Sequence, residues 1–166
     1  MNVFQIDSED LPQEIIKVFG EAASQASLIS IDEAPYGYEW RFEYLARRSW
    51  LEIAYDQWFL DGHIEEELYF MSKDGFLYYL PGFLVGSLVY RHTSCLVRSL
   101  AGIFCSQDEW AGELFVHLQG ALSLEQRQAI LHWLMVQINR AEAAGGGDPA
   151  LTAMLWTAIS RWGATG

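Results

Sequence analysis

A histidine and two glutamates stand close enough in the sequence to hold a metal ion. His63 precedes Glu66 and Glu67, and positions three or four apart share one face of a helix. A protein metal site needs three or four converging ligands, and no second pair with matching spacing accompanies these residues. Two interpretations follow: a small metal-dependent hydrolase using His63 and the neighbouring carboxylates, and a solvated acidic face that carries one histidine. We favour the second and expect no metal or other cofactor.

The other side chains capable of chemistry are isolated in the sequence. His92, His117 and His132 stand alone, and Cys95 and Cys105 form no C-x-x-C pair. Free cysteines are more often small buried hydrophobic residues than nucleophiles. The sequence also contains no dinucleotide-binding G-x-G-x-x-G, no phosphate-binding loop and no H-E-x-x-H. We therefore predict no catalytic residues and a protein that is not an enzyme.

Residues 36–70 combine aromatic and acidic side chains in an unusual density. They hold 11 of the 24 aromatic residues together with eight acidic ones. Most of these aromatic side chains are expected to fill the core, but aromatic anchors inside an acidic rim also suit an interface that captures a basic protein. The residues predicted to contact such a partner are Tyr36, Trp40, Glu43, Asp56, Asp61, Glu65, Glu66 and Glu67.

The negative charge is concentrated in the N-terminal half. The formal net charge is −12; residues 1–74 hold 16 acidic and five basic side chains, and residues 75–166 hold six and five. Such a field repels nucleic acid and anionic lipid and favours a basic partner. The alternative is that the acidity only keeps an apolar-rich chain in solution. We expect neither nucleic acid nor membrane as a partner.

The termini and the apolar runs indicate a cytoplasmic protein. The first ten residues lack the basic and apolar segments of a signal peptide. The apolar run from Gly75 to Tyr90 has 16 residues, and a helix of that length spans about 24 Å, which is short of a bilayer core of roughly 30 Å.

The longest apolar stretch, residues 68–91, has two interpretations. Asp74-Gly75 between apolar runs is typical of a β-hairpin. Alternatively, Ser72 caps a helix with Asp74 in its first turn, where the helix dipole favours an anion. The residues after Gly75 do not alternate but are apolar on every side, as in a buried helix. We predict the helix.

This central helix contains a proline and two closely spaced glycines. Pro81 removes a hydrogen bond and crowds the carbonyl of Leu77, so we predict a kink or a short break at Leu80–Gly82. Gly82 and Gly86 lie one turn apart and leave a flat strip against which another helix can pack closely.

The remaining sequence predicts further helices and no convincing strand pair. The whole chain, residues 1–166, is predicted to be one all-α domain, a bundle of about six helices around the buried, proline-kinked central helix. The predicted helices begin at Asp7 or Ser8, span 39–48, 56–70 with a break at Gly62 and 108–118, and begin at the Ser123–Gln126 capping box and at Asp148-Pro149.

Two motifs resemble those of a family of small bacterial proteins of unknown function (DUF6714-like). Members carry an aromatic F-x-Y-Y-L-P helix and, later, a Leu-Ser/Thr-x-x-Gln helix start; Trp50 with Ile53 resembles a tryptophan motif upstream. Gly82 stands where the family usually has alanine. The resemblance implies a helical fold, favours the helix over the hairpin, and brings no catalytic residues. The matching residues are Phe76, Tyr78, Tyr79, Leu80, Pro81, Ser123, Gln126 and Ile130.

Taken together, these features predict a non-enzymatic protein that sequesters a basic partner. A bacterial immunity protein that neutralises a toxin or effector is the concrete version of this hypothesis. An alternative is a subunit of a homo-oligomer whose aromatic surface is buried against a second copy.

Overall fold

The fold is all-α. The computed structural model describes residues 9–20, 36–62, 64–90, 93–144 and 147–164, and these contain ten helices and no strand. The helices are α1 (Leu11–Phe19), α2 (Glu39–Ala46), α3 (Trp50–Ala54), α4 (Gln57–Leu60), α5 (Glu65–Phe70), α6 (Lys73–Val89), α7 (Ser94–Cys105), α8 (Glu109–Ala121), α9 (Leu124–Ala143) and α10 (Pro149–Gly163). Within the described residues, no helix is long and apolar enough to cross a membrane.

Our prediction of about six helices was too low, because residues 36–70 form four short helices rather than two and because α7 is a separate helix. Ser49 begins α3 with a capping box: its side chain accepts from the Glu52 N–H at 3.2 Å, and Glu52 accepts from the Ser49 N–H at 2.7 Å. Asp56 then caps α4. Each cap satisfies N–H groups that a continuous helix would have paired internally, so a new helix begins at both places.

The central apolar stretch is the predicted helix, α6, and Ser72 caps it by accepting from the Gly75 N–H at 3.1 Å. Of the predicted kink or short break at Leu80–Gly82, the break is wrong, since α6 is continuous through Pro81, and the kink stays a prediction. Most of the helix is buried on every side. Burial of this extent offsets the proline penalty of about 3 kcal/mol.

The glycine strip of α6 receives the backbone of α3 and the Leu60 side chain of α4, in line with the close helix packing that the sequence predicted. A β-carbon at position 82 would lie 2.4 Å from the carbonyl oxygen of Trp50 in α3. At position 86 it would lie 2.3 Å from the Leu60 side chain and 3.1 Å from the Ala54 carbonyl oxygen. Glycine at both positions therefore lets α3 and α4 pack directly on α6.

The second tyrosine of the F-x-Y-Y-L-P motif joins α6 to the end of α2. The Tyr79 side chain is fully buried, and its hydroxyl lies 2.6 Å from the Leu45 carbonyl oxygen and 2.9 Å from that of Arg48. The Leu45 carbonyl oxygen also accepts the Arg48 backbone N–H at 2.9 Å, so the buried hydroxyl adds a second donor at the end of α2. Burial raises the pKa of Tyr79, so the phenol stays protonated as a donor.

The chain divides into two compact units, residues 19–99 and residues 1–18 with 100–166. The first unit contains α2–α6, and the division falls within α7. In the second unit α9 packs against α10, and the Phe104 ring meets the rings of Trp133 and Trp162 at 6.1 and 5.2 Å between centroids. The prediction of a single domain stays a prediction.

The predicted helix starts in the second unit are confirmed. Gln126 donates its backbone N–H to Ser123 Oγ at 3.2 Å and accepts from the Ser123 N–H at 2.9 Å, which completes the capping box of α9. Asp148 caps α10, with Pro149 as its first residue. The proposed caps of the first helix, Asp7 and Ser8, lie outside the described residues.

Candidate functional site

Two tryptophans of the first unit lie side by side and exposed. Trp40 is on α2 and Trp58 on α4; their ring centroids are 6.0 Å apart, and they are 50% and 63% exposed. The ring of Tyr44 lies 5.5 Å from that of Trp58 and stacks at 5.3 Å on the buried ring of Phe59. We call Trp40 and Trp58 the tryptophan pair. Its rings present apolar surface to solvent, and the Trp58 ring also contacts Tyr44 while the Arg41 guanidinium lies over the Trp40 ring.

Asp56 connects the two helices that carry the pair. One carboxylate oxygen, Oδ1, accepts from the Phe59 N–H at 3.0 Å and so caps α4. The other, Oδ2, accepts from the Tyr44 hydroxyl. This hydrogen bond raises the pKa of Tyr44, which keeps the phenol protonated as its donor. Asp56 is therefore committed to internal hydrogen bonds.

A buried ion pair lies beneath the tryptophan pair. Arg41 of α2 pairs with Glu67 of α5, and both side chains are buried. The Arg41 guanidinium also lies 5.3 Å from the Trp40 ring centroid and 4.5 Å from that of Phe59, and it donates to the Phe59 carbonyl oxygen at 3.3 Å. Burial lowers the pKa of Arg41, although an arginine stays charged at neutral pH.

An open groove of about 350 Å³ runs along the exposed face of α2 beside Trp40. Arg48 stacks on the Tyr44 ring, 3.4 Å from its centroid, and donates to the Tyr44 carbonyl oxygen at 2.9 Å. The hydrogen bonds from Ser49 lower the pKa of Glu52, which is ionised at neutral pH. The groove holds two carboxylates and two guanidinium groups, and its lining residues are Trp40, Glu43, Tyr44, Arg47, Arg48 and Glu52.

The residues predicted to contact a partner occupy different environments. Tyr36 is 99% exposed, Glu43 and Asp61 are exposed, and Glu65 and Glu66 are half-buried. Glu67 is fully buried against Arg41 and offers no surface to a partner. Its position on α5 turns it inward, whereas sequence alone gave no way to separate it from its two glutamate neighbours.

The structure adds residues to the site that we did not predict for it. Trp58 is the more exposed member of the pair, and Tyr44 and Arg41 hold the rings in place. The spacing of Asp56 and Trp58 carried a signal, because a capping aspartate puts Trp58 in the first turn of a new helix. The contact of that turn with α2 depends on tertiary packing, so no local sequence pattern predicts it.

The metal hypothesis gains no ligands from the described residues. They contain no group of three His, Cys, Asp or Glu side chains placed to hold a metal ion. His63, on which that hypothesis depends, lies outside the described residues. Of the two cysteines, Cys95 is exposed and Cys105 partly buried, and burial raises the pKa of the Cys105 thiol.

The comparisons with known proteins give a family and no activity. No curated protein and no solved structure matches the chain with significance. One family model, described as "Family of unknown function (DUF6714)", matches residues 8–159. This span includes all of the first unit and most of the second. The chain therefore belongs to the DUF6714 family of unknown function.

Proposed function

We propose that this chain is a non-enzymatic binding protein that captures a basic protein through the tryptophan pair and the acidic side chains around it. The concrete form of the proposal is a bacterial immunity protein that sequesters a toxin or effector in the cytoplasm. The contact surface comprises the pair together with Tyr36, Glu43, Asp61, Glu65 and Glu66. Asp56 and Glu67 are left out of it because their carboxylates serve internal contacts.

The exposed tryptophan pair is the observation that carries the proposal. Half or more of each side chain is in water, and the two rings are neighbours rather than scattered. Exposing two adjacent indoles forgoes the burial that normally stabilises such large apolar side chains. Tryptophan is also among the residues most enriched at the energetic centres of protein interfaces.

The charge around the pair supports a basic partner. Residues 36–70 carry eight acidic side chains against three arginines, and one acid and one arginine of these neutralise each other in the buried pair. The remaining excess of negative charge lies in the same sequence segment as the two tryptophans. Such a field accelerates association with a basic protein and loses its effect as salt rises.

Affinity capture with matched tryptophan variants tests the proposal. The immobilised protein is exposed to an extract of cells that contain the chain naturally, and retained proteins are identified by mass spectrometry. We expect a basic protein that wild type retains and that Trp40→Ala and Trp58→Ala lose. The matched control is Trp156→Ala, which removes a tryptophan that is 51% exposed on α10 in the second unit. Retention that is equal for all three variants would contradict the assigned surface.

Charge reversal on the purified complex tests the electrostatic part. Replacing Glu43, Asp61 and Glu66 by lysine should lower the association rate about tenfold or more at 50 mM salt, and much less at 500 mM. The control replaces Glu109, Glu125 and Glu142, three exposed acids of the second unit, and should change the rate far less. Rates that fall equally for both triple variants would mean that total charge matters and location does not.

Light scattering of the isolated protein separates capture of another protein from self-association. A dimer that Trp58→Ala dissociates and Trp156→Ala leaves intact would assign the tryptophan pair to a homo-oligomer instead. A monomer at micromolar concentration is the expected result, because the acidic surfaces of two copies repel each other.

A further inference from the structure

The helix that carries Trp58 is too short to be stable by itself. α4 spans Gln57–Leu60, four residues that complete little more than one turn. A single turn in water is unfavourable, because fixing its backbone costs more than its few hydrogen bonds return. The conformation of α4, and with it the position of the Trp58 ring, depends on contacts from other parts of the unit.

Side chains of α2 hold both ends of α4. At the first end, Asp56 caps the Phe59 N–H with one oxygen and accepts from the Tyr44 hydroxyl with the other. At the second end, Arg41 donates to the Phe59 carbonyl oxygen at 3.3 Å. Arg41 and Tyr44 are three positions apart, so they extend from the same face of α2. We call these two connections the clamp.

The Phe59 ring fills the space between the two connections. It is fully buried, it stacks nearly parallel on the Tyr44 ring with an angle of 5° between the planes, and the Arg41 guanidinium lies over it. Trp58, the preceding residue, is thereby directed outward against Tyr44 and Trp40. The orientation of Trp58 thus follows from groups that are themselves held in place.

We infer that the clamp presets the tryptophan pair in the free protein, and that Asp56 is a positioning residue of the binding surface and not a contact residue. The inference deepens the proposed function and rests on it for the use of the pair. Anchors that are already in their bound arrangement bind without the entropy cost of ordering side chains and a loop. Loss of the clamp should therefore weaken binding even though both tryptophans remain.

Fluorine NMR of the free protein tests the clamp without any partner. 5-Fluorotryptophan is incorporated, and the signals of Trp40, Trp58 and Trp133 are assigned by single Trp→Phe replacements. In wild type we expect a narrow Trp58 signal, displaced from that of the free amino acid and sensitive to Trp40→Phe because the rings touch. Trp50, assigned in the same way, is buried in α3 of the first unit and reports on the integrity of that unit, and the fully buried Trp133 reports on the second unit.

Three variants then separate the contribution of the Tyr44–Asp56 hydrogen bond from that of the Asp56 cap. Tyr44→Phe removes only the hydrogen bond from α2 to Asp56 and leaves the Arg41 connection, and Asp56→Ala removes that hydrogen bond and the cap. In both, the Trp58 signal should move at least half of the way to the free position and broaden, while the Trp50 and Trp133 signals stay unchanged. Asp56→Asn should keep the wild-type signal, because asparagine caps as well as aspartate and its amide can donate to the Tyr44 oxygen.

Two results would overturn the inference. One is a Trp58 signal that both Tyr44→Phe and Asp56→Ala leave unchanged, and the other is a wild-type Trp58 signal that already lies at the free position. If Asp56→Ala also displaces the Trp50 signal because the first unit unfolds, Tyr44→Phe decides alone, since it deletes a single oxygen. The two proposals can fail separately. If Trp58→Ala abolishes binding of a partner but the Trp58 signal does not respond to the clamp variants, the clamp is refuted and the proposed function is retained.

Discussion

Glu66 and Glu67 are adjacent, carry the same charge and lie on the same short helix, yet they face different surroundings. Glu67 is fully buried against Arg41, and Glu66 is half-buried with its carboxylate free of any such pair in the described residues. The pair of Arg41 and Glu67 joins α2 to α5 across 26 positions of sequence. Removing one partner of a buried ion pair leaves the other charge unpaired in a medium of low dielectric constant, which is strongly destabilising.

Glu67→Gln is therefore expected to lower the free energy of unfolding by about 3 kcal/mol, because the Arg41 charge stays buried without its counter-charge. Glu66→Gln is the matched control and should change the free energy of unfolding by about 0.5 kcal/mol or less. Urea unfolding followed by circular dichroism measures both. Equal changes for the two variants would show that the ion pair contributes nothing to stability.

At the scale of the element, a cap gives α3 a dependence on pH. The pKa of Glu52 is lowered, first because its carboxylate accepts the Ser49 N–H and second because of the Ser49 side chain. A group with a lowered folded pKa stabilises the fold above its unfolded pKa, which for glutamate is about 4.3. That contribution is lost as pH falls through the lower, folded pKa.

Glu52→Gln should therefore flatten the acid side of the stability profile. Glutamine still completes a capping box but does not titrate, so the variant should lose less stability than wild type between about pH 5 and pH 2. Urea midpoints at a series of pH values measure the difference. Glu142→Gln, at an exposed acid near the end of α9, is the control, and profiles that stay parallel to wild type for both variants would contradict the prediction.

The central helix offers a second test at the same scale. Gly82→Ala puts a β-carbon 2.4 Å from the Trp50 carbonyl oxygen, a backbone atom that moves only with α3. We expect a loss of about 2 kcal/mol or more from this overpacking. Gly112→Ala, in α8, meets nothing within 4 Å and should instead stabilise by about 0.5–1 kcal/mol through helix propensity. Thermal unfolding compares them, and a Gly82→Ala protein as stable as Gly112→Ala would refute the close approach of α3 to α6.

For the whole molecule, the prediction of a single domain is tested by asking whether the two units unfold together. A chain of 166 residues is of a size that commonly forms one domain, and the division between the units falls inside α7, a helix that forms cooperatively. We expect one transition in urea, with the fluorine signals of Trp58 and Trp133 changing at the same concentration. Midpoints that differ by more than about 0.5 M would mean two domains, since a two-state chain gives coincident transitions for every probe.

The features that sequence alone determined are those that depend on neighbouring residues. The capping box of Ser123 and Gln126, the Asp148-Pro149 helix start and the choice of helix over hairpin at Asp74-Gly75 each involve side chains within about one turn of the backbone they satisfy. The all-α class and the family motifs rest on the same local signals. The capping box of Ser49 and Glu52 is an equally local signal, but our predicted helices did not include it. Its absence from the prediction accounts for part of the error in the number of helices.

Only the tertiary structure decided which of the many similar side chains face the core, the clamp or the solvent. Eight acids in residues 36–70 have the same local chemistry, but α5 turns Glu67 toward Arg41 and the cap of α4 commits Asp56 to Tyr44. The exposure of Trp40 and Trp58 follows from how α2 and α4 pack. Such contacts join residues many positions apart, and their energy depends on the surrounding burial rather than on residue type. Composition marked the segment that holds the tryptophan pair, and packing decided which of its side chains are exposed.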